Sequence, residues 1–331
     1  MKISGKKILV TGSEGFIGSH LVERLLQEGC KVKAMILYNS MNSYGWLDQI
    51  EKKYISQIEF FFGDVRDIGS VQNAVKDCDF IFHLAALISI PYSYLAPLSY
   101  LRTNVEGTLN ILEVAKKNRI QRVIITSTSE NYGSAKYTPI DEDHILQPQS
   151  PYSASKISAD MFADSYFRSF KTPIIIARPF NVFGPRQSLR AVIPSIIMQL
   201  IRSPKLYVGN ISTIRDYTYV KDTVEGLVSL IKSKRAVGKI FNIGSNKKIS
   251  IKNIIKLASS ILGIKPNIIL QKKRFRPVAS EVLELHCDSK KIRKFTNWKN
   301  KFTFSDGLKE TIDWFIKNKT NKNFKTDIYN L

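Results

Sequence analysis

Cysteine is nearly absent. The three residues Cys30, Cys78 and Cys287 lie far apart, with no CxxC spacing and no histidine at metal-ligand distance, so neither a disulfide framework nor a zinc site is expected. All three read as reduced packing residues, and no metal is expected. An export signal is missing as well. The first 25 residues carry an apolar strand pattern that Gly12, Glu14, Gly15 and Gly18 interrupt, which leaves neither a signal h-region nor a membrane-spanning helix and points to a cytoplasmic protein. No internal repeat and no low-complexity linker divides the chain. Acidic residues are few, 28 against 50 Lys and Arg, for a formal net charge of +22. Such an excess ordinarily points to nucleic acid or an anionic surface. Here the lysines are scattered among many Ile and Asn residues and form neither a stripe nor an aromatic-interleaved patch, so no nucleic acid partner is expected. The excess would still attract a diphosphate.

At 331 residues the chain is long enough for one large α/β domain with a smaller lobe, or for two domains of ordinary size. Apolar runs at 6–11, 31–37, 58–62, 80–84, 122–126 and 173–178 read as strands. Helical patterns separate them, among them 19–28 ending near Gly29, 107–118 and 153–169. This alternation predicts an α/β fold on a doubly wound parallel sheet of the Rossmann type. Beyond Phe180 the pattern loosens into shorter pieces, with helices expected at 195–202 and 251–262. The expected division is a first domain over 1–180, a smaller C-terminal lobe over 181–316 whose strand near 239–243 returns to the main sheet, and a solvated tail over 317–331.

Gly12-Ser13-Glu14-Gly15-Phe16-Ile17-Gly18 follows the first strand and opens the first helix. Glycines there let the backbone approach a pyrophosphate, and the helix N-terminus supplies free N–H groups and partial positive charge. The spacing departs from GxGxxG in that the first two glycines lie three apart. Residues 1–180 are accordingly expected to bind NAD or NADP, with Gly12, Gly15, Phe16, Ile17 and Gly18 at the pyrophosphate. At the end of the second strand an acidic residue would accept from the ribose of NAD and an arginine would welcome the extra phosphate of NADP. This chain has Leu37-Tyr38-Asn39-Ser40, which is neither. NAD is the expectation because no arginine stands there, and NADP stays open. Asp64-Val65 after the third strand is placed to reach the adenine edge, and Leu84-Ala85-Ala86 after the fourth to pass beneath the nicotinamide.

Tyr152 and Lys156, at i and i+4, share a helix face. A lysine ammonium and an oxidised nicotinamide near a tyrosine hydroxyl lower its pKa and let it take a hydroxyl proton as hydride leaves the same carbon. Upstream, Thr126-Ser127-Thr128-Ser129-Glu130-Asn131-Tyr132-Gly133 adds a second, independent proton-transfer group in Glu130.

These features resemble the extended short-chain dehydrogenase/reductase superfamily in its nucleotide-sugar epimerase/dehydratase branch. The likeness spans nearly the whole chain. It includes His83-Leu84-Ala85-Ala86, Asn104-Val105-Glu106-Gly107-Thr108, the run from Arg178 through Asn181 to Arg186, and Arg215-Asp216-Tyr217-Thr218-Tyr219-Val220-Lys221-Asp222. The resemblance implies a substrate-binding C-terminal lobe, a nucleotide-diphosphate sugar as substrate and a homodimer through two helices packed as a four-helix bundle. Within the branch a 4-epimerase needs only Tyr152, Lys156 and a hydroxyl such as Thr128. A 4,6-dehydratase also needs a base for the proton at sugar carbon 5, the role implied for Glu130. In dTDP-glucose 4,6-dehydratases an aspartic acid precedes that glutamate and protonates the leaving hydroxyl. Ser129 stands there in this chain, so Thr-Ser-Glu is similar instead to GDP-mannose 4,6-dehydratases and to UDP-glucuronate decarboxylases.

Residues 83–97, 184–194 and 39–48 resemble the dehydratases of the legionaminic-acid pathway, which act on GDP-N-acetylglucosamine. The implied reading is an NAD-dependent 4,6-dehydratase on that substrate. A UDP-glucuronate decarboxylase, an NDP-sugar 4-epimerase and, more distantly, a catalytically silent RNA-binding member are the alternatives. Asn181, Arg190, Arg215 and Arg276 match positions that contact the diphosphate or sugar, where guanidinium forks suit phosphate oxygens.

Overall fold

Short runs rich in Ile, Val and Phe form the strands of the main sheet: β1 (Lys7–Thr11), β2 (Lys31–Ile36), β3 (Ile58–Phe62), β4 (Phe80–His83), β5 (Arg122–Thr126) and β6 (Ile174–Pro179). Four further strands belong to the C-terminal half or link to it: β7 (Asn181–Phe183), β8 (Lys205–Val208), β9 (Ile214–Tyr219) and β10 (Ile240–Ile243). The last three are β11 (Lys248–Ser250), β12 (Asn267–Leu270) and β13 (Glu284–Leu285). The computed structural model describes residues 1–321 together with Phe324. Among the described residues the main sheet has seven strands in the order β10-β6-β5-β4-β1-β2-β3, and every neighbouring pair is parallel.

Alternate side chains of each strand enter different cores, as the two-residue period of a strand requires. Ile8 and Val10 pack with Leu21, Val22 and Leu25 of the helix Phe16–Gln27 and with Leu227 and Ile231 of the helix Val220–Lys232. Leu9, Ile81, Val123 and Ile125 pack on the other side with the helices Ile68–Val75, Gly107–Lys117 and Pro151–Phe170. Helices on both faces explain why these strands read as continuous apolar runs. The strand order reverses at β1, between β4 and β2, and the crevice beyond the carboxyl ends of β1 and β4 is where a doubly wound sheet accepts a ligand.

The first helix begins at Phe16 rather than at residue 19, capped by Gly15, because the glycine turn closes in fewer residues than its length suggests. The long helix Pro151–Phe170 starts from a Ser150/Ser153 capping box with Pro151 in its first position. A π-helical turn at Leu101–Glu106, not anticipated from sequence, precedes the helix Gly107–Lys117. In the C-terminal half, β9 pairs with β7, β11 and β13, while β8 pairs with β12.

Arg186, with φ +67°, crosses back to the first helix and grips Glu23 through both terminal nitrogens, at 2.8 and 3.1 Å. The segment expected to be a solvated tail from residue 317 is pinned at Phe324. That ring is buried and lies 5.4 to 6.4 Å from the rings of Phe315, Trp314 and Trp46. Residues 322, 323 and 325–331 of that tail lie outside the described residues. Among the described residues no helix is long and apolar enough to cross a membrane.

Candidate active site

The glycine turn is tight enough that its backbone touches the loop after β4. Gly12 has φ +66°, and a Cβ there would come 2.8 Å from Ala85 N. A Cβ on Gly18 would lie 2.1 Å from Gly12 O, so the helix can start only where glycine stands. The helix Phe16–Gln27 has no side-chain cap and no acid in its first turn. The N–H groups of Phe16, Ile17 and Gly18 precede the first intrahelical bond, from Ser19 N to Gly15 O, and form a cradle that fits a dinucleotide pyrophosphate.

A buried relay holds the neighbouring loop. Thr11 Oγ1 accepts from Leu84 N and Ala85 N, both at 3.2 Å, and lies 2.8 Å from His83 Nδ1. Thr108 Oγ1 donates to Asn104 O and therefore accepts from His83 Nε2, 3.1 Å away, which leaves Nδ1 as acceptor. Burial and the nearby Lys156 push the imidazole down to about 3, consistent with this neutral tautomer. Asn104, in the π-helical turn, clamps Leu87 through its N and O and donates to Ser155 Oγ, tying residues 84–87 to the helix that carries Tyr152. Val65 packs against Gly107, where a Cβ would meet Val65 Cγ2 at 2.8 Å. The Asp64 carboxylate is clasped by Arg66, whose Nε lies 2.9 Å from Oδ2. It borders an open depression of about 480 Å³ lined also by Asp67, Arg102 and Glu106.

Tyr152 and Lys156 are both buried on one face of their helix. The phenol hydrogen-bonds to the Thr128 side chain, and burial raises its pKa in the absence of a bound ligand. Lys156 Nζ donates to Thr126 O at 2.7 Å at the carboxyl end of β5. Burial pushes Lys156 down to about 8, and the Asp160 carboxylate one turn further on opposes that shift. Between about pH 8 and the ordinary lysine value of 10.5 the unfolded chain therefore binds a proton that the folded protein does not, and stability rises with pH across that window. Wild type should gain on Lys156→Met by up to about 3 kcal/mol there, read from paired unfolding curves at each pH.

Thr128 also caps the single turn Ser129–Tyr132, its Oγ1 accepting from Glu130 N at 3.2 Å. That turn buries Ser129 and leaves the Glu130 carboxylate partly exposed, with Oε2 3.8 Å from Arg276 Nη1. Glu130 is thus an electrostatic neighbour of both Tyr152 and Tyr217. Beneath the pair lies a buried polar network. Asp160 Oδ2 accepts from Arg178 Nε at 2.9 Å and from Asn131 Nδ2 at 3.0 Å. Arg178 Nη1 donates to the Tyr132 hydroxyl, which donates to Asn242 Oδ1 at 2.7 Å.

A carboxylate beside a tyrosine–lysine pair, in a chain that carries a dinucleotide cradle, narrows the chemistry, and comparison with known proteins decides the family. The family model described as GDP-mannose 4,6 dehydratase matches residues 9–311. The chain belongs to that family. An uncharacterized protein of Methanocaldococcus jannaschii is 33% identical over 95% of this chain and 97% of its own length. The human dTDP-D-glucose 4,6-dehydratase is 30% identical over 95% of this chain and 91% of its own. Among solved structures, a mutant of the UDP-glucuronic acid 4-epimerase from Bacillus cereus, in complex with a fluorinated UDP-glucuronic acid and NAD, superposes with a TM-score of 0.87 at 28% identity. That match covers 94% of this chain and 99% of the epimerase.

In this GDP-mannose 4,6-dehydratase family member the four expected substrate contacts differ in what they offer. Arg276 is brought to Glu130, and its Nη1 is buried without a hydrogen-bond partner among the described residues. Asn181 Oδ1 is likewise buried and unpartnered, open to a ligand donor. Arg190 is exposed, and its charge is felt at Tyr100. Arg215 departs from the expected free fork. Its Nη2 donates to Val282 O at 2.6 Å, and its Nη1 to Ile214 O at 2.9 Å and Leu283 O at 3.3 Å, because β13 brings residues 282–285 alongside β9. Two residues that sequence reasoning passed over are Asp160 and Glu14. Asp160 had a signal, an acid one turn beyond Lys156 on the same helix face. Glu14 was read only as an interruption of the strand pattern.

Proposed function

We propose that this chain is a nucleotide-sugar 4,6-dehydratase that uses NAD and acts on GDP-N-acetylglucosamine. The observation that carries the reading is Glu130, a carboxylate held at the end of β5 beside Tyr152 and facing Arg276. A 4-epimerase has no use for a base at that place. When bound, NAD supplies a hydride carrier that would take the hydride from carbon 4 and give it back at carbon 6, so no external reductant is consumed. Tyr152, hydrogen-bonded to Thr128 and backed by Lys156, takes the proton of the carbon 4 hydroxyl. The resulting ketone acidifies carbon 5, and Glu130 removes that proton. The carbon 6 hydroxyl departs as water with the help of Ser129 or a water it orders. Asn181, Arg190 and Arg276 hold the diphosphate and sugar, and Arg215, whose guanidinium donates to backbone carbonyls, lends its positive charge beside them. The choice of GDP-N-acetylglucosamine is supported by the runs 83–97, 184–194 and 39–48. The product, a GDP-4-keto-6-deoxy-N-acetylhexosamine, would feed a nonulosonic acid of surface glycans.

A second reading, a 4-epimerase, is favoured by the solved neighbours, among them UDP-glucose 4-epimerase of Thermotoga maritima. Mass spectrometry after incubation with NAD and, separately, GDP-N-acetylglucosamine, UDP-N-acetylglucosamine, GDP-mannose and UDP-glucuronate separates the readings. Loss of one water from GDP-N-acetylglucosamine is the expected result. Loss of carbon dioxide from UDP-glucuronate would make the chain a decarboxylase, and an unchanged mass with altered sugar stereochemistry would make it an epimerase.

The same reading includes a homodimer. The segments Ile90–Leu95 and Pro97–Tyr100 pack on the helix Pro151–Phe170, and Leu95, Leu98, Leu101, Met161 and Phe162 on these segments and the residue after them are exposed. Apolar side chains gathered on adjoining helices suit a second copy. Wild type should elute as a dimer across dilution, and Leu98→Glu combined with Phe162→Glu should elute as a monomer. A wild type that elutes as a monomer throughout would remove the dimer.

A further inference from the structure

The loop after β2 offers neither carboxylate nor arginine at Leu37-Tyr38-Asn39-Ser40, the place where a dinucleotide fold discriminates between its two cofactors. Glu14 reaches that place from inside the glycine turn. Its Oε1 accepts at 3.1 Å from the N–H of Leu37, the first residue past β2. Its Oε2 is buried and has no hydrogen-bond partner among the described residues. Neighbouring contacts hold the residue there. Ser13 Oγ donates to Met35 O at 2.9 Å, and Trp46 N donates to Glu14 O at 3.0 Å. Gly45, with φ +62°, passes so close that a Cβ on it would come 2.8 Å from Glu14 Cβ.

The other carboxylates of this region are engaged. Asp48 accepts from Ser43 Oγ at 2.8 Å and from Tyr44 N, and Asp64 is clasped by Arg66. Burial holds Glu14 above the usual carboxylate range. A carboxylate oxygen withdrawn from water without a donor is costly, which makes this atom a site awaiting one.

We propose that Glu14 accepts from the adenosine ribose hydroxyls and thereby sets a preference for NAD over NADP. A hydroxyl donates to Oε2 and satisfies it. A 2′-phosphate would place a second anion against the carboxylate in surroundings that screen poorly, which disfavours NADP. The inference rests on a nicotinamide dinucleotide as cofactor and is independent of the sugar chemistry, so it is tested without a nucleotide sugar.

The experiment is titration calorimetry of the whole protein, freed of copurified dinucleotide, with NAD and with NADP. Wild type, Glu14→Gln and Glu14→Ala are compared. The glutamine keeps an acceptor for Leu37 N and removes only the charge, so it decides the matter even where the alanine variant folds poorly. Wild type should bind NAD more tightly than NADP by about tenfold or more, and both variants should reduce that ratio by about tenfold or more. A ratio unchanged in the folded glutamine variant, or a wild type that prefers NADP, would overturn the proposal.

Discussion

Glu130→Gln should slow the loss of water from the sugar by about 10²- to 10⁴-fold, the range that a positioned acid–base group supplies. Oxidation at carbon 4 should survive. The amide matches the carboxylate in shape and can stay within the single turn that Thr128 caps, so the substitution removes a base without emptying its place. Tyr152 and Lys156, which in the proposed mechanism serve its first half, sit on a different element and keep their contacts with Thr128 and Thr126 O. In single-turnover mixing with substrate, the variant should show the absorbance of reduced nicotinamide appear and persist, where wild type shows it only in passing. Steady-state turnover equal to wild type would take Glu130 out of the mechanism. Arg276 adds a complementary reading, since its guanidinium lies 3.8 Å from the same carboxylate and would face a neutral amide in the variant.

Asp160→Ala should cost about 3 to 5 kcal/mol of stability, the penalty for stranding one partner of a buried ion pair. Arg178 is 1% exposed and would lose its one carboxylate among the described residues, keeping the Tyr132 hydroxyl at 3.0 Å as a neutral acceptor. Asn131 would lose one of its two acceptors, keeping Ser127 Oγ at 3.0 Å. Chemical denaturation read by circular dichroism measures the loss. The double variant Asp160→Ala with Arg178→Met should recover part of it, because no charge is then left buried. A single variant within about 1 kcal/mol of wild type, the error of such curves, would show that water enters and solvates the arginine.

Much of the main sheet was legible because a parallel sheet covered on both faces needs unbroken apolar strands, and each of the six runs read from residues 6 to 178 is a strand within two residues of its expected ends. The glycine turn and the Tyr152–Lys156 pair were legible for a related reason. Each is local, a spacing along one turn or one helix face, and needs no knowledge of what packs against it. Contacts made across the fold were not legible. Asp160 and Arg178 meet only because a helix lies on β6, and nothing in their separation announces it. Arg215 stood in a run that promised a phosphate fork, yet the short pairing of β9 with β13 supplies backbone carbonyls that take up its donors. Phe324 lies in a stretch of Lys, Asn and Thr whose composition argued for solvent, and a single aromatic among them was enough to dock.

The Arg186–Glu23 pair gives the two ligands of this enzyme a common datum. Glu23 lies two turns along the helix whose N-terminus is shaped for pyrophosphate, and Arg186 opens the loop that carries Arg190. A sugar nucleotide held through Arg190 would thus be gauged from the same rod as the cofactor, with a two-pronged clamp and the three residues 187–189 between them. Misalignment of the lobes would strain that clamp before it changed the spacing at which the reacting carbon meets the nicotinamide.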